Sequence, residues 1–237
     1  MENREMSSER REEIIGNCRL ILGDCFDVLP SLGKIDAVVT DPPYGIGYAH
    51  GLGGGKGGAD SLSFKRNTTQ IVGDDSPFDP TPWLQWPCIL WGANHFAQRL
   101  PHGRWLAWNK LGHKEPWDDH SDVEFAWQNT RAADRIFSLL WKGIAKGERT
   151  TFPGRGHGAR LHPNQKPEAL MVWCIEHLHV AADVILDPFM GSGTTGVACV
   201  KLGRKFVGIE MDPKHFEIAC TRIRAAVEQR ELFRSAS

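Results

Sequence analysis

The sequence predicts an α/β fold built on a mostly parallel, twisted sheet with helices on both faces. The first observation is a strand, a tight turn, a helix and a second strand in succession between residues 183 and 210, because such a βαβ unit requires parallel strands. The second is a buried apolar run, 35–40, that stops abruptly at Pro42 and Pro43. The third is size and composition. A chain of 237 residues with 41% hydrophobic and 24% charged residues suits one globular α/β domain.

In the first half, the elements follow from short apolar runs. Residues 1–16 are largely polar and charged and predict a tail. The runs after it predict a strand, a short helix and a buried strand over 17–23, 26–32 and 35–40. Two consecutive prolines cannot continue a central strand, so the third run ends in a rigid corner. Further strands, with some helix in the first segment, are predicted in 83–100, 103–109, 123–127 and 136–141.

The middle of the chain contains two loop-like stretches. Residues 51–60 are rich in glycine and predict a flexible loop. Residues 142–166 carry six basic residues against one acid, Glu148, and predict a mobile basic excursion. We therefore interpret the chain as one domain in two halves, separated by a short basic insertion. The intervals are a tail at 1–16, the halves at 17–141 and 162–237, and the insertion at 142–161.

The last third has the clearest periodicity. Leu170, Cys174 and Leu178 recur at i+4 and predict a helix over 167–179. The pattern then predicts a strand at 183–187, a turn at 191–196, a helix at 197–202, a strand at 205–210 and an amphipathic helix from 214. Gly203 stops the helix that precedes the last strand.

Composition argues against several classes of protein. The six cysteines form no CxxC pair and no zinc-finger spacing, so reduced thiols and no metal site are expected. No apolar run approaches 18 residues, and the first 13 residues do not resemble a secretory signal. We therefore expect a cytoplasmic protein without a membrane partner.

A glycine turn follows the strand at 183–187. Gly191, Gly193 and Gly196 fit the pattern G-x-G-x-x-G, and Glu210 follows 19 residues after the first of them. Such glycines let the backbone approach a ligand, and a carboxylate at the next strand end can accept from ribose hydroxyls. NAD, FAD and S-adenosylmethionine all carry a ribose, so the ligand stays open, as does a turn that only packs a helix on the sheet. Asp187, at the strand end, is expected to shape this turn.

The rigid corner after the buried strand has the sequence Asp41-Pro42-Pro43-Tyr44. Ligands of open α/β sheets bind at the carboxyl ends of the strands, where this corner would lie. A carboxylate and a fixed carbonyl can accept from an NH₂ group, and an aromatic ring can stack on a heterocycle. The corner therefore predicts a site for a planar amine, against the alternative of a proline-rich surface turn.

Together, the two motifs resemble the DNA methyltransferases that modify adenine N6 or cytosine N4. The proline corner precedes the glycine turn, which resembles the circularly permuted beta group of that family. The acidic motif at 23–25, the segment HPNQKP at 162–167 and the strand end VGIE at 207–210 are similar to further motifs of the family. The resemblance spans 17 to about 228 and implies a Rossmann-like methyltransferase fold with a permuted order of motifs.

The resemblance implies roles for individual residues. The residues implied to bind the target amine are Asp41, Pro42, Pro43 and Tyr44. The residues implied to bind S-adenosylmethionine are Asp24, Cys25, His162, Lys166, Asp187, Phe189, Gly191, Ser192, Gly193, Thr194 and Glu210. The candidates for contact with DNA phosphates are Lys56, Lys65, Arg66, Lys142, Lys146, Arg149, Arg155 and Arg160.

The implied activity is the transfer of a methyl group from S-adenosylmethionine to the N6 amine of a flipped adenine in double-stranded DNA. Asp at the first position of the corner favours adenine. Cytosine N4 is the alternative, followed by RNA or a protein amide. A nicotinamide oxidoreductase would leave the proline corner without a role, and a silent DNA-binding module would not need Asp24, Asp41 and Glu210. The family also suggests a homodimer and a cognate restriction enzyme as partners.

Overall fold

The computed structural model describes residues 11–45, 76–116, 121–142, 145–146 and 165–235. The strands in this part of the chain are β1 (Glu12–Ile15), β2 (Cys18–Leu22), β3 (Ala37–Thr40), β4 (Cys88–Trp91), β5 (Arg104–Asn109), β6 (Val123–Gln128), β7 (Arg135–Ser138), β8 (Trp141–Lys142), β9 (Ala145–Lys146), β10 (Val184–Asp187) and β11 (Lys205–Glu210). The α-helices there are α1 (Cys25–Val28), α2 (Glu168–Glu176), α3 (Thr194–Leu202) and α4 (Pro213–Ser235). Short 3₁₀ helices lie at Leu29–Ser31, Thr81–Trp83, Ala93–His95 and Ala97–Arg99.

Nine of these strands form one mixed sheet in the order β1-β2-β11-β10-β3-β4-β6-β5-β7, and β8 pairs separately with β9. Strands β2, β11, β10, β3 and β4 are mutually parallel, and β5 pairs with β7 in parallel. The pairs β1–β2, β4–β6 and β5–β6 are antiparallel. The predicted α/β fold with a mostly parallel sheet is therefore confirmed.

The two faces of the sheet are buried by different elements. Alternate residues of β3 point to opposite faces, as strand geometry requires: Val39 packs with the cluster formed by α2, α3 and α4, and Val38 with the cluster that includes α1 and the 3₁₀ segments. In β4, Trp91 packs with the first of these clusters and Leu90 with the second. Both faces of the central strands are thus covered, which explains why β3 and β4 are apolar at every position.

Most predicted elements are confirmed, with shifts of a few residues at their ends. The helix predicted at 197–202 begins three residues earlier, because the turn at Gly193 leads directly into α3. The charged tail predicted for 1–16 is wrong for Glu12–Ile15, which form the edge strand β1 and pair with β2. Only one face of this strand packs on the protein, so charged residues are tolerated on the other. The glycine-rich loop at 51–60 lies outside the described residues.

The topology brings the predicted motifs to one edge. Strands β2, β11, β10, β3 and β4 run in the same direction, so their carboxyl ends lie side by side. At this edge, Asp24 follows β2, Glu210 ends β11, and the glycine turn follows β10 after Asp187. The corner at Asp41 follows β3, and the turn at Gly92 follows β4. Among the described helices, none combines the length and the apolar character that spanning a bilayer requires.

Candidate functional site

The glycine turn between β10 and α3 is tight because its backbone enters the left-handed region. Gly191 has φ 51° and Gly193 has φ 77°, values that residues with a side chain adopt rarely. A Cβ atom on Gly196 would lie 2.5 Å from Cδ1 of Ile223 in α4. The first two glycines therefore shape the turn, and the third lets α3 approach the neighbouring helix.

Glu210 joins the end of β11 to this turn. One carboxylate oxygen accepts from the backbone N–H of Gly191 at 2.8 Å, and the other accepts from the N–H of Asp212, also at 2.8 Å. Burial raises the pKa of the Glu210 carboxyl, and the two N–H donors act against that rise. Each oxygen has a second lone pair, so the carboxylate can also accept from a ligand.

Asp187 links the glycine turn to the strand of the proline corner. Its carboxylate accepts from the hydroxyl of Thr40 at 2.7 Å, from the hydroxyl of Thr195 at 2.6 Å and from the N–H of Phe189 at 3.2 Å. The residue is only 3% exposed. The structure therefore gives Asp187 a supporting place beneath the turn, and any effect on a cofactor would pass through the backbone that it holds.

Asp187 predicts a pH dependence of stability. Burial raises the pKa of its carboxyl to about 6. Since the folded protein then retains a proton at pH values where the unfolded chain has lost it, this group stabilises the fold at low pH and loses that effect as the pH rises through about 6. Relative to Asp187→Asn, the free energy of unfolding of the wild type should fall by up to about 3 kcal/mol between about pH 4 and pH 7. Urea unfolding at each pH measures the difference, and parallel curves for the two proteins would contradict it.

Arg222 braces the turn from α4. Its guanidinium donates to the Ser192 carbonyl at 2.7 Å and lies 3.0 Å from both the Ser192 and Thr194 hydroxyls. It also pairs with Glu168, at the start of α2, at 3.1 Å. The arginine is 4% exposed. A buried guanidinium thus satisfies polar groups of the turn.

The proline corner holds a carboxylate, a phenol and an ammonium group together. The Tyr44 hydroxyl donates to Oδ1 of Asp41 at 2.5 Å, and Nζ of Lys166 donates to Oδ2 of Asp41 at 2.6 Å. Lys166 Nζ also lies 3.4 Å from the Tyr44 hydroxyl and 5.9 Å from the centre of the Trp91 ring. Burial, followed by the Asp41 charge, raises the pKa of Tyr44, so the phenol remains a donor.

The ring of Tyr44 is packed between two residues that follow β4. It stacks on His95, with ring centres 4.9 Å apart and an angle of 15° between the planes. Gly92 has φ 67°, and a Cβ atom there would lie 1.9 Å from Cε1 of Tyr44. Gly92 therefore provides both the backbone turn and the space that the tyrosine ring occupies.

Glu124 extends the charged group to β6. Its Oε2 lies 3.1 Å from Lys166 Nζ, and its Oε1 lies 3.1 Å from Lys110 Nζ. Burial lowers the pKa of Lys166, but the charges of Asp41 and Glu124 outweigh burial and raise that pKa well above its usual value. Burial alone would raise the pKa of Glu124, but the two lysines outweigh it and lower that pKa. Lys166 and Glu124 are thus both charged at neutral pH.

The remaining predicted cofactor residues occupy different places. Asp24 caps α1 by accepting from the Phe26 N–H at 2.8 Å, and the adjacent Cys25 is buried. Phe189 is partly buried and makes edge-to-face contacts with Phe78 and Trp83. These residues lie on the α1 side of the sheet, next to the turn.

The structure brings together the corner, the glycine turn and Glu210, as the sequence predicts. Lys166, predicted as a cofactor ligand, contacts Asp41 and Tyr44, and its contact with a cofactor stays a prediction. The predicted site residues outside the described part of the chain are Lys56, Lys65, Arg66, Arg149, Arg155, Arg160 and His162. Lys142 and Lys146 lie in β8 and β9, with only their backbone described.

Sequence reasoning did not identify Gly92, Lys110, Glu124 or Arg222 as parts of the site. Glycine, lysine, glutamate and arginine have no distinguishing local pattern at these positions, and their partners are distant in the chain. The alternation of β6 could indicate only that Glu124 lies on a strand.

Sequence comparisons find relatives among DNA methyltransferases. The family model for N6/N4 DNA methylases matches residues 104–221, about half of the chain. The type II methyltransferase M2.DpnII of Streptococcus pneumoniae is 48% identical over 70 residues, which are 30% of this chain and 26% of that protein. M.HinfI of Haemophilus influenzae is 43% identical over 67 residues, 28% of this chain and 19% of that protein. The matched region thus spans about a quarter or less of either relative.

Solved structures show the same fold at low identity. The crystal structure of the M1.HpyAVI–SAM complex has a TM-score of 0.51 at 21% identity, covering 87% of this chain and 98% of that one. The cytosine-N4-specific PvuII DNA methyltransferase has a TM-score of 0.53 at 15% identity, covering 88% of this chain and 86% of that one. The match to the family model, together with the two sequence relatives, shows that the chain belongs to the N6/N4 DNA methylase family.

Proposed function

We propose that this protein is a DNA methyltransferase that transfers a methyl group from S-adenosylmethionine to the N6 amine of adenine. The observation that carries the proposal is the position of two motifs on adjacent parallel strands. The Asp41–Tyr44 corner follows β3, and the glycine turn that is bonded to Glu210 follows β10. An acceptor for an amine and a turn suited to a nucleoside cofactor therefore lie side by side.

The residues of the turn fit S-adenosylmethionine, which the similar M1.HpyAVI structure contains. Glu210 retains lone pairs for ribose hydroxyls, and the glycine backbone leaves space for a ligand to approach. Asp24 and Phe189 lie on the same side and would border the adenine and the methionine part. When bound, this cofactor supplies an electrophilic methyl group on a sulfonium.

Asp41 is the group that would act on the target amine. The lone pair of an adenine amine is delocalised into the ring, so the amine is a weak nucleophile. Hydrogen bonds from the NH₂ group to the Asp41 carboxylate and the Pro42 carbonyl would localise that lone pair. They would also stabilise the positive charge that develops on nitrogen as the N–C bond forms and the S–CH₃ bond breaks. The products would be the methylated amine, which gives its extra proton to water, and S-adenosylhomocysteine. Holding the amine in line with the methyl group adds an orientation effect.

Tyr44 would receive the base. The amine of a paired base is inaccessible, so the base must leave the duplex at a cost of a few kcal/mol. Stacking on an aromatic ring returns roughly 1–3 kcal/mol of that cost. The imidazole of His95 covers one face of Tyr44. Since Gly92 also packs closely against the ring, a base can stack on Tyr44 only after His95 rotates away.

Double-stranded DNA is the proposed substrate, with phosphate contacts from the basic residues near 56–66 and 142–160. Those contacts should make binding weaken as salt rises. Adenine is favoured by Asp at the first position of the corner, and cytosine N4 is the second candidate because the PvuII enzyme of the same fold is cytosine-N4-specific. The homodimer, the cognate restriction enzyme and membership of the permuted group stay predictions.

Mass spectrometry of nucleosides tests the function. The purified protein is incubated with unmethylated DNA and S-adenosylmethionine, and the DNA is then digested to nucleosides. We expect N6-methyladenine in the product, and far less of it after the same incubation when Asp41→Asn replaces the wild type. Detection of N4-methylcytosine instead would show that the target base is cytosine. If neither modified base is found, although calorimetry shows that the sample binds the cofactor, the proposal is overturned. RNA or protein would then be tested as the substrate.

A further inference from the structure

A line of four alternating charges leads from β5, which neighbours the edge strand β7, to the proline corner after β3. Lys110 at the end of β5 pairs with Glu124 on β6 at 3.1 Å, and Glu124 pairs with Lys166 at 3.1 Å. Lys166 then pairs with Asp41 at 2.6 Å. Glu124 therefore reaches the corner through a single shared ammonium group.

Lys166 creates an electrostatic problem for the proposed reaction. The target nitrogen becomes positive as it is methylated, and it would do so beside the carboxylate that already binds this ammonium. The Lys166 side chain is 8% exposed, so water screens its charge weakly. A cation held there without compensation would oppose the charge that Asp41 is placed to stabilise.

Glu124 supplies the compensation. The four groups of this line carry no net formal charge, whereas without Glu124 they would carry one net positive charge. Glu124 also shares the ammonium, so the lysine is not drawn wholly onto the carboxylate that must accept from the amine. The pairing of Glu124 with Lys110 on its far side fixes the orientation of its carboxylate.

We propose that Glu124 is a positioning residue of this site, which through Lys166 keeps Asp41 available to the target amine and prevents a net positive charge beside it. The proposal deepens the proposed function and rests on it. In physical terms, the Glu124 carboxylate, which is remote from the base, controls how strongly the Asp41 carboxylate accepts a hydrogen bond. It does so through the Lys166 ammonium group that both carboxylates share.

Glu124→Gln is the test, because it removes the charge and preserves the shape. We expect kcat for methyl transfer to fall roughly tenfold or more, with the KM for S-adenosylmethionine nearly unchanged. The matched control is Glu115→Gln, an exposed glutamate in the connection between β5 and β6, which should behave as the wild type. Thermal unfolding of each variant identifies any loss that comes from misfolding.

A second measurement does not depend on turnover. The Nζ ammonium signal of Lys166 is observed by ¹⁵N NMR and identified by its absence in Lys166→Met. In Glu124→Gln this signal should shift and exchange its protons with water faster. A folded Glu124→Gln variant with wild-type kcat overturns the proposal, as does an unchanged Lys166 signal. Absence of methylation by the wild type, with the signal altered in the variant, would instead contradict the proposed function and leave the control of Lys166 by Glu124 supported.

Discussion

Replacement of Asp41 by asparagine should lower the rate of methyl transfer by roughly three orders of magnitude. The amide keeps the shape of the side chain but removes the negative charge that would face the developing cation, and its NH₂ group cannot accept. Cofactor affinity should change less than about threefold, because the ribose-binding candidate Glu210 lies on another strand. Single-turnover kinetics and calorimetry measure the two quantities separately.

The same substitution should also destabilise the fold. Lys166 is buried and would keep only Glu124 as a carboxylate partner among the described residues. A loss of about 1–3 kcal/mol in the free energy of unfolding is expected when one partner of such a pair is removed. Asp27→Asn, which changes an exposed acid on α1, is the control for both measurements. An Asp41→Asn variant with near wild-type turnover would remove Asp41 from the mechanism.

Gly92→Ala should lower both stability and activity, because the added methyl group would displace the Tyr44 ring. The alanine Cβ would overlap Cε1 of Tyr44 at 1.9 Å, and the residue would have to hold φ 67°. Both effects destabilise the fold, together by about 2–4 kcal/mol. The ring of Tyr44 must move to make space, so kcat should fall by roughly tenfold or more in the protein that remains folded.

Gly33→Ala is the matched control for this substitution. A Cβ on Gly33 meets nothing within 4 Å, and its φ is not in the left-handed region. That variant should therefore unfold at nearly the wild-type urea concentration, or slightly above it. If the two alanine variants were equally stable and equally active, the close packing of Tyr44 on Gly92 would be wrong.

The parts of the fold that could be predicted from sequence are those with local causes. The run from β10 through the turn to β11 combines an apolar strand, three glycines and a helix stop within a short interval, so its structure follows from nearby residues. The corner after β3 is equally local, because two prolines end the strand wherever it lies in the sheet. Even so, the sequence predicts a tail where β1 lies, since the exposed face of an edge strand tolerates a charge such as that of Glu12.

The parts that could not be predicted depend on distant pairs. Lys166 lies 125 residues from Asp41, and Arg222 lies 30 residues from Ser192. No rule of sequence spacing predicts contact between such residues. The role of Gly92 likewise becomes clear only from the position of the Tyr44 ring beside it. The charged line through Glu124 similarly becomes visible only after β5 and β6 are aligned, with Trp108 opposite Glu124.

The central position of β10 and β11 has a consequence for how the chain folds. Both strands come from the last third of the sequence, yet they separate β2 from β3, which lie close together near its start. During synthesis, β2 and β3 therefore emerge long before the strands that must fill the space between them. The sheet can close only after α3 and the strands on either side of it have left the ribosome. Such long-range pairing slows folding and leaves the apolar strands β2 and β3 without their native neighbours until then.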